Sequence, residues 1–596
     1  MTTPPAFTAA AIQFEPTMFR KEENICRLLA LCETAARDGA KLIVTPEMGT
    51  TGYCWFSRAE VAPEVETIPG PTTDRFAALA ARHDAHIVIG MPEVDPATGL
   101  YYNSAVLIGP AGVIGTHRKT HPYIAEPKWA ASGDLGHQVF ETALGRIAIL
   151  ICMDLHFFET ARVEALDGAD VICHVSNWLA ERAPAPYWIN RAFENGCYVI
   201  EANRWGLERT VQFSGGSCVI APGGEVVAQI DAGDGIVAAQ VDPALSRSRL
   251  VLGEPVFDTR RPDLYKTLMT NSFTWNARDF FQLYGHQPIP AGGPATLAVA
   301  QFTPTDDPAR NLAEIERIAD AAVAQGAKLL VLPELSLTGD RDPAARAHSV
   351  DGPLVAAFTA IAMRRRLHIV AGFAETDGAR CFNSLVLSGP EGRLGSYRKI
   401  HLSTTDRTWA TAGQDWAVFD LPFGRLGLLC GHDALQPEAA RVLAIEGCDV
   451  IACPANLPRG FTGAHAGTAI PHNAPIPRGA DPFHWHAFRC RAGENNLYLA
   501  LANLCDPGRD LPGESGIFGP DTFSFPRHES PVLTGPDLCT LDIDLTQLAA
   551  SPYPTTVVRR KDLLTMRLPH HYTAIVDETA RRRNAPADRL ADPQPS

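Results

Sequence analysis

The sequence predicts an α/β fold built twice within one chain. One observation behind this is an ordered series of segments that recurs. "AIQFEPT" at 11 returns as "AQFTPT" at 300, "GAKLIVTPE" at 39 as "GAKLLVLPE" at 326, and "HIVIGMPE" at 86 as "HIVAGFAE" at 368. "HRKTH" at 117 returns as "YRKIH" at 397, and "RRPDLY" at 260 as "RRKDLL" at 559. The order is the same in both halves, which makes this a duplication rather than chance similarity. The other observation is local: short apolar runs of strand length alternate with stretches of helical periodicity, as expected for buried strands with covering helices.

Each copy opens with a short apolar run and continues into a helix, marked in the first copy by Ile25, Leu28, Leu29, Leu31 and Cys32. A glycine then introduces a buried strand that ends in Pro-Glu. Further runs follow ("AHIVIG", "SAVLIG", "RIAILIC", "ADVICHV", "CYVIEAN", "GGSCVIA"), separated by helical stretches or by hairpin turns such as "GPAGVIG". On this reading residues 1–284 form the first domain, the Pro/Gly-rich "GHQPIPAGGPA" at 285–295 a linker, and 296–575 the second domain. The polar, Pro-rich stretch at 576–596 is expected to be a disordered tail. The second copy carries an addition, since Asn456 to Glu494 is about twice as long as Asn177 to Glu194 and includes a Gly/Pro/His-rich loop around 459–480. Long loops of this kind are surface elaborations, lids or interfaces.

With 596 residues the chain is too long for one core. Its composition is that of a globular protein, 46% hydrophobic and 20% charged. A net charge of −15 argues against attraction to nucleic acid or an anionic membrane surface. The 14 cysteines are scattered, with no C-x-x-C pair, which argues against a disulfide framework or a zinc site and for a reducing compartment. The N-terminal stretch has no basic region followed by an apolar one, and apolar runs such as "IAILIC" fall well short of the roughly 20 residues of a spanning helix. A cytoplasmic location is expected.

Cys152 ends a buried apolar run and precedes a helical stretch in "ILICMDLHFFETAR", with Asp154 at a plausible N-cap. A thiol there lies near unpaired backbone N–H groups and the positive end of a helix, which predicts a thiolate. A nucleophile needs partners. Glu47 follows "KLIVTP" at a strand end, where a carboxylate can serve as general base and acid, and Lys119 stands at another, where an ammonium can stabilise an oxyanion.

These residues carry a resemblance. Glu47 in "TPE", Lys119 in "HRKTHPY", Glu126 in "AEPKW" and Cys152 in "LICMD" resemble the Glu-Lys-Glu-Cys constellation of the nitrilase superfamily, the carbon-nitrogen hydrolases. "NWL" at 177, "RAFENG" at 191 and "EANRWG" at 201 are similar to the later motifs of that family. The resemblance covers about 6–275 and, more weakly, 296–565. It implies tandem four-layer αββα sandwiches and hydrolysis of a non-peptide C–N bond through an acyl-enzyme, with no metal and no organic cofactor. It further implies Cys152 as nucleophile, Glu47 as general base and acid, Lys119 with the Met153 backbone N–H as oxyanion stabilisers, and Glu126 orienting Lys119 or the attacking water. Tyr53, Phe158 and Trp178 are candidate pocket walls, with a small amide-like molecule and water as reactants. Strict nitrilases follow the nucleophile with Trp-Glu, whereas this chain has Met153-Asp154, which favours an amidase or N-carbamoyl amidohydrolase over a nitrile-cleaving enzyme. A non-enzymatic binding protein is the reading from a different class.

In the second copy Glu334 matches Glu47 and Lys399 matches Lys119. Asp406 stands as far beyond Lys399 as Glu126 beyond Lys119, one methylene shorter. Counted from the shared "GR", the position of Cys152 is taken by Gly431, and Cys430 lies one place early, where strand alternation aims it into the core. The second copy is therefore expected to be non-catalytic and to serve as the structural half of an intrachain pseudo-dimer, with a regulatory or ligand-binding use of the vacant second site as the alternative and further homo-oligomerisation left open.

Overall fold

The computed structural model describes residues 4–179, 183–271, 289–465, 467, 483–521, 527–546 and 556–579. Part of the 285–295 linker, most of the 459–480 loop and most of the 576–596 tail lie outside these residues. The protein consists of two α/β sandwiches in tandem, each folding as its own compact unit.

In chain order the first sandwich contains β1 (Phe7–Gln13), α1 (Lys21–Arg37), β2 (Ala40–Val44), α2 (Pro71–His83), β3 (His86–Val94), β4 (Tyr101–Gly109), β5 (Gly112–Arg118) and β6 (Val139–Thr142). There follow β7 (Gly145–Ile151), α3 (Phe158–Leu166), β8 (Val171–Ser176), α4 (Pro186–Asn195) and β9 (Tyr198–Asn203). The remainder is β10 (Trp205–Glu208), β11 (Val211–Ser214), β12 (Cys218–Ile220), β13 (Val226–Gln229) and β14 (Gly235–Val241).

One six-stranded sheet has the order β14-β1-β2-β3-β4-β5 and the other β13-β12-β9-β8-β7-β6. Parallel neighbours need crossovers: α1 and α2 connect β1 to β2 and β2 to β3, and α3 and α4 connect β7 to β8 and β8 to β9. The apolar stripes of α1 and α2, including Ile25, Leu28, Cys32, Phe76 and Leu79, cover Ile12, Ile43, Ile87 and Ile89 on the first sheet. The strands therefore read as continuous apolar runs because both faces are covered.

This arrangement brings the carboxyl ends of β2 and β7 and the end of β5 toward one place. Gly90 in β3 lets the strand pass the Glu47 loop, since a Cβ there would lie 2.7 Å from Glu47 Cα. Gly372 occupies the same situation beside Glu334 in the second unit, with 2.9 Å to Glu334 Cα.

The second unit repeats the plan. Pro294–Gln301, Ala327–Val331 and His368–Asp377 lie at the heart of its six-stranded sheet, and Gly424–Leu428, Val450–Ala455 and Tyr498–Asn503 at the heart of a five-stranded one. Leu297, Val299, Leu329, Leu428, Ala452 and Ala500 from the two sheets share one apolar interior.

The packing boundary does not coincide with the repeat boundary. Among the described residues the first unit takes in the chain up to Val251, with those of Thr462–Trp485 and those from His570 on. The second begins at Leu252. Local chemistry accounts for this: within the second unit the buried Arg260 guanidinium donates to Glu438 at 3.0 Å, and Gln436 Nε2 donates to the Val256 carbonyl at 2.6 Å. Within the first, His484 Nε2 donates to the Pro184 carbonyl at 2.7 Å, and Trp485 meets Phe193 edge-on at 5.2 Å. No helix among the described residues is long and apolar enough to cross a membrane.

Candidate active site

Four of the predicted site residues converge in the first unit. Glu47 follows β2, Lys119 follows β5, Glu126 opens the short turn Glu126–Lys128, and Cys152 opens the turn Cys152–His156 directly after β7. All four are buried. Lys119 Nζ donates to Glu47 Oε1 at 2.8 Å and to Glu126 Oε2 at 2.6 Å, so one ammonium joins two carboxylates. Asn103, in the middle of β4, reinforces the cluster: its Nδ2 donates to Glu47 Oε1 at 2.7 Å and also to Glu126 Oε1. The second oxygen of Glu47 accepts from the Asn177 backbone N–H at 2.8 Å. Tyr53 Oη donates to Glu126 at 3.2 Å, and the Tyr123 backbone N–H donates to the same oxygen at 2.6 Å.

The charges stabilise one another. Burial by itself would lower the Lys119 ammonium, but the Glu126 and Glu47 carboxylates outweigh it and hold Lys119 well above its ordinary value. Burial raises the Glu126 carboxyl against the pull of Lys119. Burial, followed by the Glu126 and Glu47 charges, keeps the Tyr53 phenol un-ionised. With the lysine donating to both acids, the group satisfies the condition for burying charge at all.

Cys152 differs from the sequence expectation in two respects. The helix proper begins only at Phe158, and Cys152 stands in a tight 3₁₀ turn with φ +46°, a conformation L-residues rarely adopt. Asp154 caps this turn rather than α3, its Oδ2 accepting from the Ile151 N–H at 3.2 Å. Its Oδ1 accepts from the Thr120 hydroxyl at 2.8 Å and the His121 N–H at 3.0 Å. Burial opposes ionisation of Asp154, but the bonds to His117 and His121 prevail and hold its carboxyl well below the usual range. One carboxylate thus ties the Cys152 turn to the segment following Lys119.

The second difference concerns ionisation. Burial and then the neighbouring Glu47 charge push the Cys152 thiol well above its usual value, and Lys119 only partly opposes them. Burial thus disfavours the thiolate that the turn alone suggested, because desolvation opposes the effect of a few backbone dipoles. Among the charged groups, Glu47 acts most strongly on the thiol.

The wall candidates fall differently. Tyr53 reaches the cluster through its bond to Glu126, and its ring lies 5.6 Å from Lys119 Nζ. Met153 is the buried neighbour of Cys152. Trp178 is buried, stacked on His156 at 4.6 Å, with its backbone N–H donating to Asn203 Oδ1 at 2.9 Å. Phe158 is fully buried as the first residue of α3.

The second unit assembles the corresponding groups. Lys399 Nζ lies 2.7 Å from Glu334 Oε1 and 2.6 Å from Asp406 Oδ2, and Asn383 Nδ2 donates to the same two acids at 2.6 and 2.9 Å. Gly431 has φ +47°, matching Cys152. A Cβ added at Gly431 would run into Glu334 Oε2 and come within 3.4 Å of Lys399 Nζ. That oxygen has no hydrogen-bond partner among the described residues, in contrast to its counterpart on Glu47. Cys430 is fully buried within the apolar interior between the sheets. Among the described residues no group of three or more His, Cys, Asp and Glu side chains is placed to hold a metal ion.

The two matches of a family model agree with the duplicated fold. A family model for carbon-nitrogen hydrolase matches residues 8–249 and again 296–550. A nitrilase of Pyrococcus abyssi is 36% identical over 259 residues, covering 43% of this chain and 98% of the relative. An N-carbamoylputrescine amidase of Solanum lycopersicum is 31% identical over 288 residues, covering 44% of this chain and 95% of the relative. The crystal structure of Saccharomyces cerevisiae Nit3, a member of branch 10 of the nitrilase superfamily, is 25% identical with a TM-score of 0.38, covering 41% of this chain and 93% of that one.

Proposed function

Because the chain belongs to the carbon-nitrogen hydrolase family, we propose that its first repeat hydrolyses the C–N bond of a small amide or N-carbamoyl compound through an acyl-enzyme on Cys152. The observation carrying this is a buried ammonium shared by Glu47 and Glu126 beside a thiol that burial and Glu47 keep protonated.

In this reading Glu47 takes the thiol proton as the sulfur attacks the carbonyl carbon, and Lys119 with the Met153 N–H stabilises the oxyanion. When the tetrahedral intermediate collapses, the C–N bond breaks and Glu47 returns the proton to the leaving nitrogen, releasing ammonia or an amine. Water then attacks the thioester carbonyl with Glu47 again as base, the C–S bond breaks, Glu47 returns the proton to the Cys152 sulfur, and the acyl product leaves as an acid. Glu126, bonded to Lys119, Tyr53 and Asn103, keeps the ammonium in place through both halves.

The finer choice of substrate is tested by ammonia release over propionamide, N-carbamoyl-β-alanine and propionitrile. Turnover of the amide or the carbamoyl compound is expected. A second reading, nitrile hydrolysis, is favoured by the name of the Pyrococcus relative, and release confined to propionitrile would establish it instead.

The second repeat, in the same proposal, is a structural partner without catalysis. Gly431→Cys in a Cys152→Ala background is expected to stay silent, with no acyl adduct and no ammonia. A side chain at 431 must displace Glu334 Oε2, and no N–H like that of Asn177 holds that oxygen back. A reactive group misplaced by about 1 Å loses on the order of a hundredfold in rate. Turnover near the parental rate would instead mean a competent second site.

A further inference from the structure

Behind Cys152 lies a buried polar pair that the proposed chemistry leaves without a task. His174 in β8 and Glu201 in β9 are cross-strand partners, both fully buried. An imidazole and a carboxylate inside an apolar sheet are costly unless they bond to something definite. Glu201 contacts His174 Nδ1 through one oxygen and Ser176 Oγ through the other. Ser176 Oγ also lies 2.9 Å from Asn203 Oδ1, the atom that receives the Trp178 N–H. The free end of the imidazole points at the nucleophile turn, with His174 Nε2 3.1 Å from the carbonyl oxygen of Cys152. A carbonyl only accepts, so Nε2 carries the proton and donates.

The second repeat serves as an internal control. "ADVICHVSN" at 169–177 corresponds to "CDVIACPAN" at 448–456, and "CYVIEAN" at 197–203 to "LYLALAN" at 497–503. The cross-strand pairing survives between Cys453 and Leu501, and Asn503 still receives the Leu457 N–H at 2.8 Å. Only the imidazole, the carboxylate and the hydroxyl are gone, replaced by Cys453, Leu501 and Ala455. The architecture therefore does not require them. They stand in the copy that has Cys152 and are missing from the copy that has Gly431.

We propose that His174, oriented by Glu201, is a positioning residue for oxyanion stabilisation: by holding the Cys152 carbonyl it sets the peptide plane between Cys152 and Met153. In a planar trans peptide the C=O and the following N–H point in opposite directions, so fixing one aims the other. The Met153 N–H is thereby directed away from the imidazole, and polarisation of the carbonyl strengthens it as a donor. The device suits a residue at φ +46°, a conformation that persists only where its surroundings over-determine it. The inference rests on the reading of Cys152 as nucleophile.

The test compares His174→Leu, His174→Gln and the parent, using whichever compound of the panel above turns over fastest. His174→Leu is expected to lower kcat by about ten- to a hundredfold with KM changed less than about threefold. Modification of Cys152 by methyl methanethiosulfonate is expected to keep its rate, because thiol exchange at sulfur forms no oxyanion. His174→Gln, whose amide nitrogen can take the place of Nε2, is expected to recover most of the loss. If His174→Leu does not fold, Glu201→Gln keeps the volume and the imidazole, and a fall in kcat of about three- to tenfold with unchanged thiol modification is expected. A folded variant with parental kcat, or thiol modification that falls in step with kcat, would overturn the inference. Turnover surviving in Cys152→Ala would overturn the nucleophile itself, so the two failures are told apart.

Discussion

Cys152→Ala is expected to lower ammonia release by at least about a thousandfold while the chain stays folded. The substitution removes a single sulfur from a small buried side chain, costing about 1 kcal/mol of burial. Alanine can occupy the φ +46° position at no more backbone strain than cysteine. The hydrogen bonds from Lys119 and Asn103 to Glu47 and Glu126, and from the Asn177 N–H to Glu47, are kept. Steady-state rates paired with a thermal melt check both halves of the expectation. Activity surviving at a few per cent of parental would assign the nucleophile elsewhere.

The second large effect is on stability. Lys119→Met leaves Glu47 and Glu126 facing each other without their shared cation, and breaking a buried ion pair from one side costs about 3–5 kcal/mol. A fall in Tm on the order of 10 °C is expected, together with loss of turnover. The deficit should depend on pH with a defined sign. Burial holds the Glu126 carboxyl above its ordinary value, so the protonated form favours the folded state. That contribution is complete below the unfolded-state value of about 4.3 and is lost as pH rises through the folded value. Removing the ammonium moves the folded value further up. The variant should therefore come closest to parental stability near about pH 4.5 and fall behind toward neutrality. A deficit independent of pH would mean that lost packing, not charge, governs the effect.

The duplication and its strands were legible because repeats and period-coded burial are properties of the linear sequence. Glu47 and Cys152 could be singled out because each follows an apolar run, and Lys119 because it follows a strand end, whereas Glu126 is legible only through the resemblance to the family's motifs. Asn103 is a weaker signal, a polar residue at the same place in "NSAVLIG" and "NSLVLSG" within an otherwise apolar strand. His174 and Glu201 are likewise polar interruptions of apolar runs, but only the register that places them opposite each other reveals a pair. The ionisation of Cys152 departs from the sequence expectation because a turn predicts dipoles, whereas the desolvation that opposes them depends on packing from segments far away in sequence. The packing boundary at Leu252 was hidden for the same reason, since Arg260 and Glu438 are distant in the chain.

The most direct measurement is the mass of the Cys152-bearing tryptic peptide, Ile147–Arg162, after rapid acid quench of the enzyme turning over its best amide. The expected result is a peptide heavier by the acyl group of that amide, absent in Cys152→Ala and absent from the peptide containing Cys430. Sustained ammonia release with an unmodified Cys152 peptide, or an acyl group found on another cysteine, would contradict a mechanism centred on Cys152.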